Sequence, residues 1–334
     1  MKRNRNIDHI KGFLVLAMIA YHCSSASTFP AVRQIRGHLS FLHYSFLIIS
    51  GYLCGMHYFP RLNEHRGALR RRIISRAIRI MILFLVANVV FHILGLADRT
   101  ALSELAAHPS SVLTAMFVTI DGSYVAFEVL YYISMCLVLI SVLFTLRSMR
   151  SILCSSLVVV GVAMVLPGQC VVFMGMGCVG LAAGMLASRG YLDSFYQTLL
   201  RLPLLPVAFL LADMLLLSDI RSDGAHYIVI PLRLTESCCW FYVAVWTLSK
   251  LSDHHMMRGA IASLGQYTLL SYLVQMPCAR IVNHAFGGPS WIGPFHYMVC
   301  VAIVFAFTLS VVLCVKWLRE ESEIVNVIYM RGFQ

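Results

Sequence analysis

Lys11 and His22 stand eleven residues apart in the opening stretch MKRNRNIDHIKGFLVLAMIAYHC, which is mostly apolar from Phe13 onward. At 100° per residue, eleven steps return to within about 20° of the starting direction, so both side chains leave one face of a helix. A rise of 1.5 Å per residue separates them by roughly 16.5 Å along the axis. Val15 and Met18 lie on the same stripe, and Asp8, three residues before Lys11, joins it. An ammonium group attracts an anionic ligand, and an imidazole accepts a proton near neutral pH. The pattern suits a site with a charged threshold and a general base deeper in. Each residue also has a plainer use: Lys11 can snorkel to an interface, Asp8 can cap the helix start, and His22 can hydrogen-bond between helices.

Further ionisable residues fall in apolar surroundings: His92, Glu128, Asp213, Arg233, Glu236 and His296. Charge at membrane depth is costly, so each is a functional candidate by default. Arg233 and Glu236, three apart on one helical face, can pair with each other or serve a buried polar site. Glu128 and Tyr124 open another apolar segment and offer the same choice. The run RRRIISRAIRI gathers Arg70, Arg71, Arg72, Arg76 and Arg79, and arginine's planar fork suits phosphate. The same run also answers the positive-inside bias of membrane loops. Ser50 and Gly51 are small enough to let two helices approach closely, and Ser50 can also donate to a developing oxyanion.

The elements that must hold these residues follow from composition. Of 334 residues, 59% are hydrophobic and only 12% charged, against about 45–50% and about 25% in ordinary soluble domains. Mean hydropathy is +0.79. So much apolar surface at this length needs lipid as its solvent. A spanning helix takes about 20 apolar residues, and ten segments qualify: roughly 10–29, 39–57, 74–97, 124–146, 151–167, 170–188, 203–218, 227–249, 261–282 and 293–317. A shorter apolar piece near Val112–Ile120 reads as an outer loop or re-entrant element, and Tyr58–Ile73 as a basic inner loop. Twenty of the 26 lysines and arginines fall on one side of this arrangement, which predicts both termini inside the cytoplasm. Residues 1–29 also have the parts of a signal peptide, but nine apolar segments follow, and an uncleaved first span is expected. The expected architecture is all-α: one polytopic helix bundle over residues 1–334, with no repeat and no attached soluble module.

Several function classes drop away. A net charge of +11 invites nucleic acid, but the charges sit in short clusters between apolar runs and no nucleic-acid motif is apparent. The eleven cysteines form no CxxC pair and nearly all lie in apolar segments, where cysteine behaves as a small hydrophobe. No metal is expected, since His254-His255 are adjacent rather than on one helical face and no HExxH pattern occurs.

Several motifs resemble the integral-membrane acyltransferase type 3 family. Asp8-His9-Ile10-Lys11-Gly12, closing at His22, is similar to the family's acidic residue, basic residue and glycine followed by a histidine. FLHYSFLIISGYLCG resembles its second-span pattern through Phe46, Ser50, Gly51 and Tyr52, and the arginine run resembles its basic loop. SLGQYTLLSYLVQ resembles a later segment through Gly265, Thr268, Leu269 and Tyr272. Gln275 stands where many members have histidine, so no catalytic part goes to that position; Tyr131-Tyr132-Ile133 matches the family's aromatic stretch loosely, and residues 150–250 match in hydropathy alone.

The resemblance implies transfer of an acyl group, usually acetyl, from cytoplasmic acetyl-CoA to a hydroxyl of an extracytoplasmic glycan or lipid-linked sugar. It implies a multi-pass protein of the bacterial cytoplasmic membrane. His22 would be the base, Lys11 with Arg70, Arg71, Arg72 and Arg76 would hold the donor, and Asp8, Ser50, Tyr124, Glu128, Arg233 and Glu236 would meet the acceptor. The competing class is a transporter or flippase of a lipid-linked sugar, although no internal symmetry is visible. A receptor or scaffold would show no dependence on Lys11 or His22.

Overall fold

The computed structural model describes residues 5–24, 29–96, 126–166, 169–191, 206–208, 210, 226–250, 256–286 and 293–333. Among these residues the regular structure is entirely helical. Twelve helices are described: α1 Arg5–Ser24, α2 Pro30–His38, α3 Leu42–Tyr58, α4 Leu62–Ile93, α5 Glu128–Leu143, α6 Met149–Val165, α7 Gln169–Ala187, α8 His226–Lys250, α9 Met256–Gln266, α10 Thr268–Ala285, α11 Pro294–Glu321 and α12 Glu323–Phe333. Most of the expected segments recur as helices, although α4 begins twelve residues before position 74 and the segment 261–282 falls on two helices. Apolar stretches within Pro30–Ile93, Gln169–Ala187 and Pro294–Glu321 are long and apolar enough to cross a membrane, and Glu128–Leu143 and Met149–Val165 are shorter apolar helices. The segment 203–218, with Asp213, lies mostly outside the described residues, as do Val112–Ile120, Tyr124 and His254-His255.

Two expectations need correction. Tyr58–Ile73 is not a loop: after a single 3-10 turn at Phe59–Arg61 the chain enters α4 at Leu62 and continues to Ile93. Leucine, alanine, arginine and glutamate favour helix, and Leu62, Leu69 and Ile73 bury one side of it. The distortion falls at His65, whose backbone (φ −133°, ψ 33°) departs from helical values. The segment 261–282 is likewise two helices, parted at Tyr267. There Thr268 Oγ1 donates to the Gly265 carbonyl at 2.6 Å and Ser271 Oγ to the Tyr267 carbonyl at 3.0 Å, occupying acceptors at the break.

The chain forms two compact units. The first comprises Met1–Ile10, Ser40–Ile78 and Tyr132–Gly259. Its spine is α3 against α7, with α6 and α8 packed alongside. The seam is made of glycines: a Cβ on Gly51 or Gly55 would drive into the backbone of Gly177 or Leu181, and one on Gly180 or Gly184 into that of Ile48 or Tyr52. Small residues on both faces let the backbones touch, which is how helices associate where water supplies no drive. On the outer side of α6, Leu157 (66% exposed), Val158 and Val165 present an apolar surface that suits lipid tails.

The second unit comprises Lys11–Leu39, Arg79–Tyr131 and Ala260–Gln334. Its core gathers Val15, Ile19 and Cys23 of α1 with Leu264, Tyr267, Cys278 and Ala279 and, from α11, Tyr297, Cys300 and Val304. The α1 residues recur at four-residue steps, one face of a helix. Gly12 is the point of closest approach, because a Cβ there would strike the Ile261 carbonyl. Arg319, near the end of α11, lies over the rings of Tyr329 (4.3 Å) and Tyr267 (5.4 Å) and donates to Asn326 Oδ1 at 2.8 and 3.1 Å. This cluster ties α12 back to the break between α9 and α10.

Candidate active site

His22 lies in the last turn of α1. The residue is half-buried, and its Nε2 atom is turned fully into the protein. Its ring meets Tyr21 edge-on at 5.4 Å and Tyr272 of α10 at 6.5 Å between centroids. Tyr272 is buried and packs edge-on against Phe127 at 5.8 Å, which in turn meets Phe91 at 5.7 Å. The Tyr272 hydroxyl engages the Val129 backbone amide and lies within electrostatic reach of Glu128. An imidazole is thereby held among aromatic walls, with a phenol and a carboxylate in the same neighbourhood. The two tyrosine rings flank the imidazole, and the residue as a whole keeps part of its surface exposed.

Lys11 is half-buried and shares α1 with His22, as the spacing predicts. The stripe between them is not a polar track, however: Val15 and Met18 are completely buried. The lysine and the histidine mark the two ends of a packed apolar interval.

The other sequence-derived candidates divide between the units. Asp8 is buried in the first turn of α1, where a carboxylate complements the helix dipole. In the first unit, Ser50 Oγ donates to the Phe46 carbonyl of its own helix at 2.8 Å, while its neighbour Gly51 serves the seam. Arg70 is half-buried and its Nε donates to the Ser141 carbonyl at 3.1 Å, while Arg66 reaches the Thr145 carbonyl at 3.4 Å. Both satisfy acceptors at the C-terminal end of α5, a favourable place for a cation. Arg71, Arg72 and Arg76 are exposed. Arg233 and Glu236 form a buried ion pair at 2.9 Å on α8, and Ser237 Oγ, donating to the Arg233 carbonyl, accepts from Ser45 Oγ of α3 at 3.0 Å. The second unit holds Lys11, His22 and Glu128. His92 closes α4 half-buried, and His296 is exposed at the start of α11 against Phe286, both consistent with interfacial positions.

Sequence reasoning quoted Tyr272 as part of a motif but gave it no place at the site. Its place follows from the structure: it lies eleven residues after Ile261, which touches Gly12, much as His22 lies ten after Gly12. Among the described residues no cluster of three or more His, Cys, Asp or Glu could hold a metal ion.

No curated protein and no solved structure matches the chain significantly. The model of one protein family, described as an acyltransferase domain, matches residues 4–315, nearly the whole length. That match spans Lys11, His22 and the walls around them. The chain belongs to the acyltransferase type 3 family and is a membrane acyltransferase.

Proposed function

We propose that the protein moves an acyl group, acetyl in the first instance, from cytoplasmic acetyl-CoA to a hydroxyl of an extracytoplasmic or lipid-linked glycan, with His22 as general base. The observation that carries the reading is the enclosure of His22, with Nε2 buried and its ring held beside Tyr272. In this scheme the imidazole takes the proton from the acceptor hydroxyl as that oxygen attacks the thioester carbonyl. The tetrahedral intermediate collapses with cleavage of the C–S bond. The ester leaves on the glycan, and the CoA thiolate recovers a proton to depart as the thiol. Tyr272 is a positioning residue for the ring.

Lys11, with the exposed Arg71, Arg72 and Arg76, would meet the phosphates of the donor. Arg70 would contribute less, being already bonded to α5. Asp8, Ser50, Tyr124, Glu128, Arg233 and Glu236 are proposed for the acceptor side. The buried pairing of Arg233 with Glu236 favours a structural role for those two. Ten spans forming one domain, with both termini in the cytoplasm of a bacterium, would give the donor and acceptor their separate sides.

The test is labelled acetyl-CoA supplied to membranes carrying the wild-type protein or its His22→Ala variant. Label should enter the glycan with the wild type and not with the variant. Equal transfer by both would end the assignment of His22. A transporter of lipid-linked sugar would transfer no label at all.

A further inference from the structure

We infer that Gln275 and Asn283 on α10 form a neutral hydrogen-bonding subsite for the acyl acceptor, an inference that rests on the reading of His22 as base. Gln275 is completely buried, and neither Oε1 nor Nε2 has a hydrogen-bond partner among the described residues. Asn283 is 5% exposed, and its Oδ1 is likewise buried without one. Leaving a carboxamide buried and unsatisfied is destabilising, because its hydrogen bonds to water are lost and not replaced. Apolar side chains of equal volume would avoid that cost, so these groups call for a ligand that satisfies them.

Their placement within the second unit says which ligand. Gly12 meets Ile261 and His22 meets Tyr272, so α9 and α10 run beside α1 in the same direction. Moving along α10 past Tyr272 therefore continues from Lys11 through His22 and beyond. Gln275 follows Tyr272 by three residues, about 60° around the helix and roughly 4.5 Å along it. Asn283 follows by eleven, about 20° around and roughly 16.5 Å along. Both fall on the Tyr272 side of α10, on the far side of His22 from the lysine. Between them Pro277 lacks the N–H that would bond the Leu273 carbonyl, adding a further acceptor to this stretch.

A donor that enters at Lys11 presents its thioester at His22. What lies beyond the base belongs to the acceptor. Gln275 offers an uncharged donor and acceptor and Asn283 an acceptor, which fits the hydroxyl and acetamido groups of a neutral sugar; a carboxylate or phosphate has no proton to give the two amide oxygens. The pantetheine arm of CoA also carries amides, so the experiment separates the two sources.

Full-length protein in nanodiscs, as wild type, Gln275→Met and Asn283→Leu, is titrated with CoA and, separately, with oligosaccharides released from the source organism's cell envelope. Binding and the unliganded melting temperature are both read. Each variant should bind CoA as the wild type does, lose about tenfold in affinity for the oligosaccharide, and melt at or above the wild-type temperature, since an unpaired amide has been removed. Weakened CoA binding with the sugar unaffected would transfer the carboxamides to the donor and overturn the subsite. Unchanged affinity for both ligands would make them structural only, as would a wild type that ignores the oligosaccharide. A wild type that binds both ligands as expected yet transfers no acyl label would sink the proposed reaction while leaving the subsite standing.

Discussion

The side chains that matter most in the two units are held differently. In the first, Arg233 bonds Glu236, Ser237 bonds Ser45, Arg70 holds the end of α5 and Ser50 bonds its own helix, while His57 Nδ1 and Ser141 Oγ are buried without a hydrogen-bond partner among the described residues. In the second, Gln275 and Asn283 keep buried amide atoms unpaired, and the His22 imidazole is enclosed by rings with Nε2 turned inward. A region that satisfies its polar groups gains rigidity. One that leaves them unsatisfied gives up stability and retains the capacity to bind or react. On the proposed reading the acyl transfer takes place beside His22, in the second unit.

The largest effect expected from breaking this contrast is at His22. His22→Ala should lower acyl transfer by about 10²–10⁴-fold, as loss of a general base does, while the melting temperature in detergent barely moves. A variant equally inactive but unfolded would put His22 on the scaffold side. Next comes the ion pair. Glu236→Leu alone leaves a buried guanidinium unpaired and should cost about 3–5 kcal/mol in stability, whereas the double replacement of Arg233 by Met and Glu236 by Leu should cost far less. Guanidinium-free unfolding midpoints, measured thermally, check this; an equal loss of sugar binding by single and double variants would return the pair to the site. Gly180→Leu should cost about 1–3 kcal/mol or prevent folding, because its side chain meets the Ile48 backbone. Expression and size-exclusion profiles read that outcome. Smallest are the arginines: Arg71→Gln, Arg72→Gln and Arg76→Gln should each raise the KM for acetyl-CoA a few-fold, more at low salt than at high salt. Arg70→Gln should instead lower stability by about 1 kcal/mol with KM nearly unchanged.

Parts of this arrangement are legible in the sequence, although the two units are not. Helical arithmetic put Lys11 and His22 on one face, and a run of small residues marked α3 for close approach. What sequence could not show is tertiary. Five arginines in one run look alike until α5 captures Arg70 and leaves Arg71, Arg72 and Arg76 in the open. The glycines of MGMGCVGLAAG are plain to see, but their partner helix is set by topology. Gln275 was set aside because it replaces a histidine; only its burial, with both amide atoms unpaired, makes it informative. The expected loop at Tyr58–Ile73 failed because basic side chains were weighed as loop signals, although they are good helix formers whose apolar neighbours Leu69 and Ile73 had a core to enter.

The Arg319 cluster lies just beyond the stretch that the family match covers. The family match stops at residue 315, in the middle of α11. A protein trimmed to that border would lose Arg319, Asn326 and Tyr329 together, and with them the bracket on Tyr267, five residues ahead of the tyrosine that lines His22. A boundary drawn by kinship between sequences is thus not a seam along which this molecule can be cut: the 19 residues past the match brace the Tyr267 break from which α10 begins.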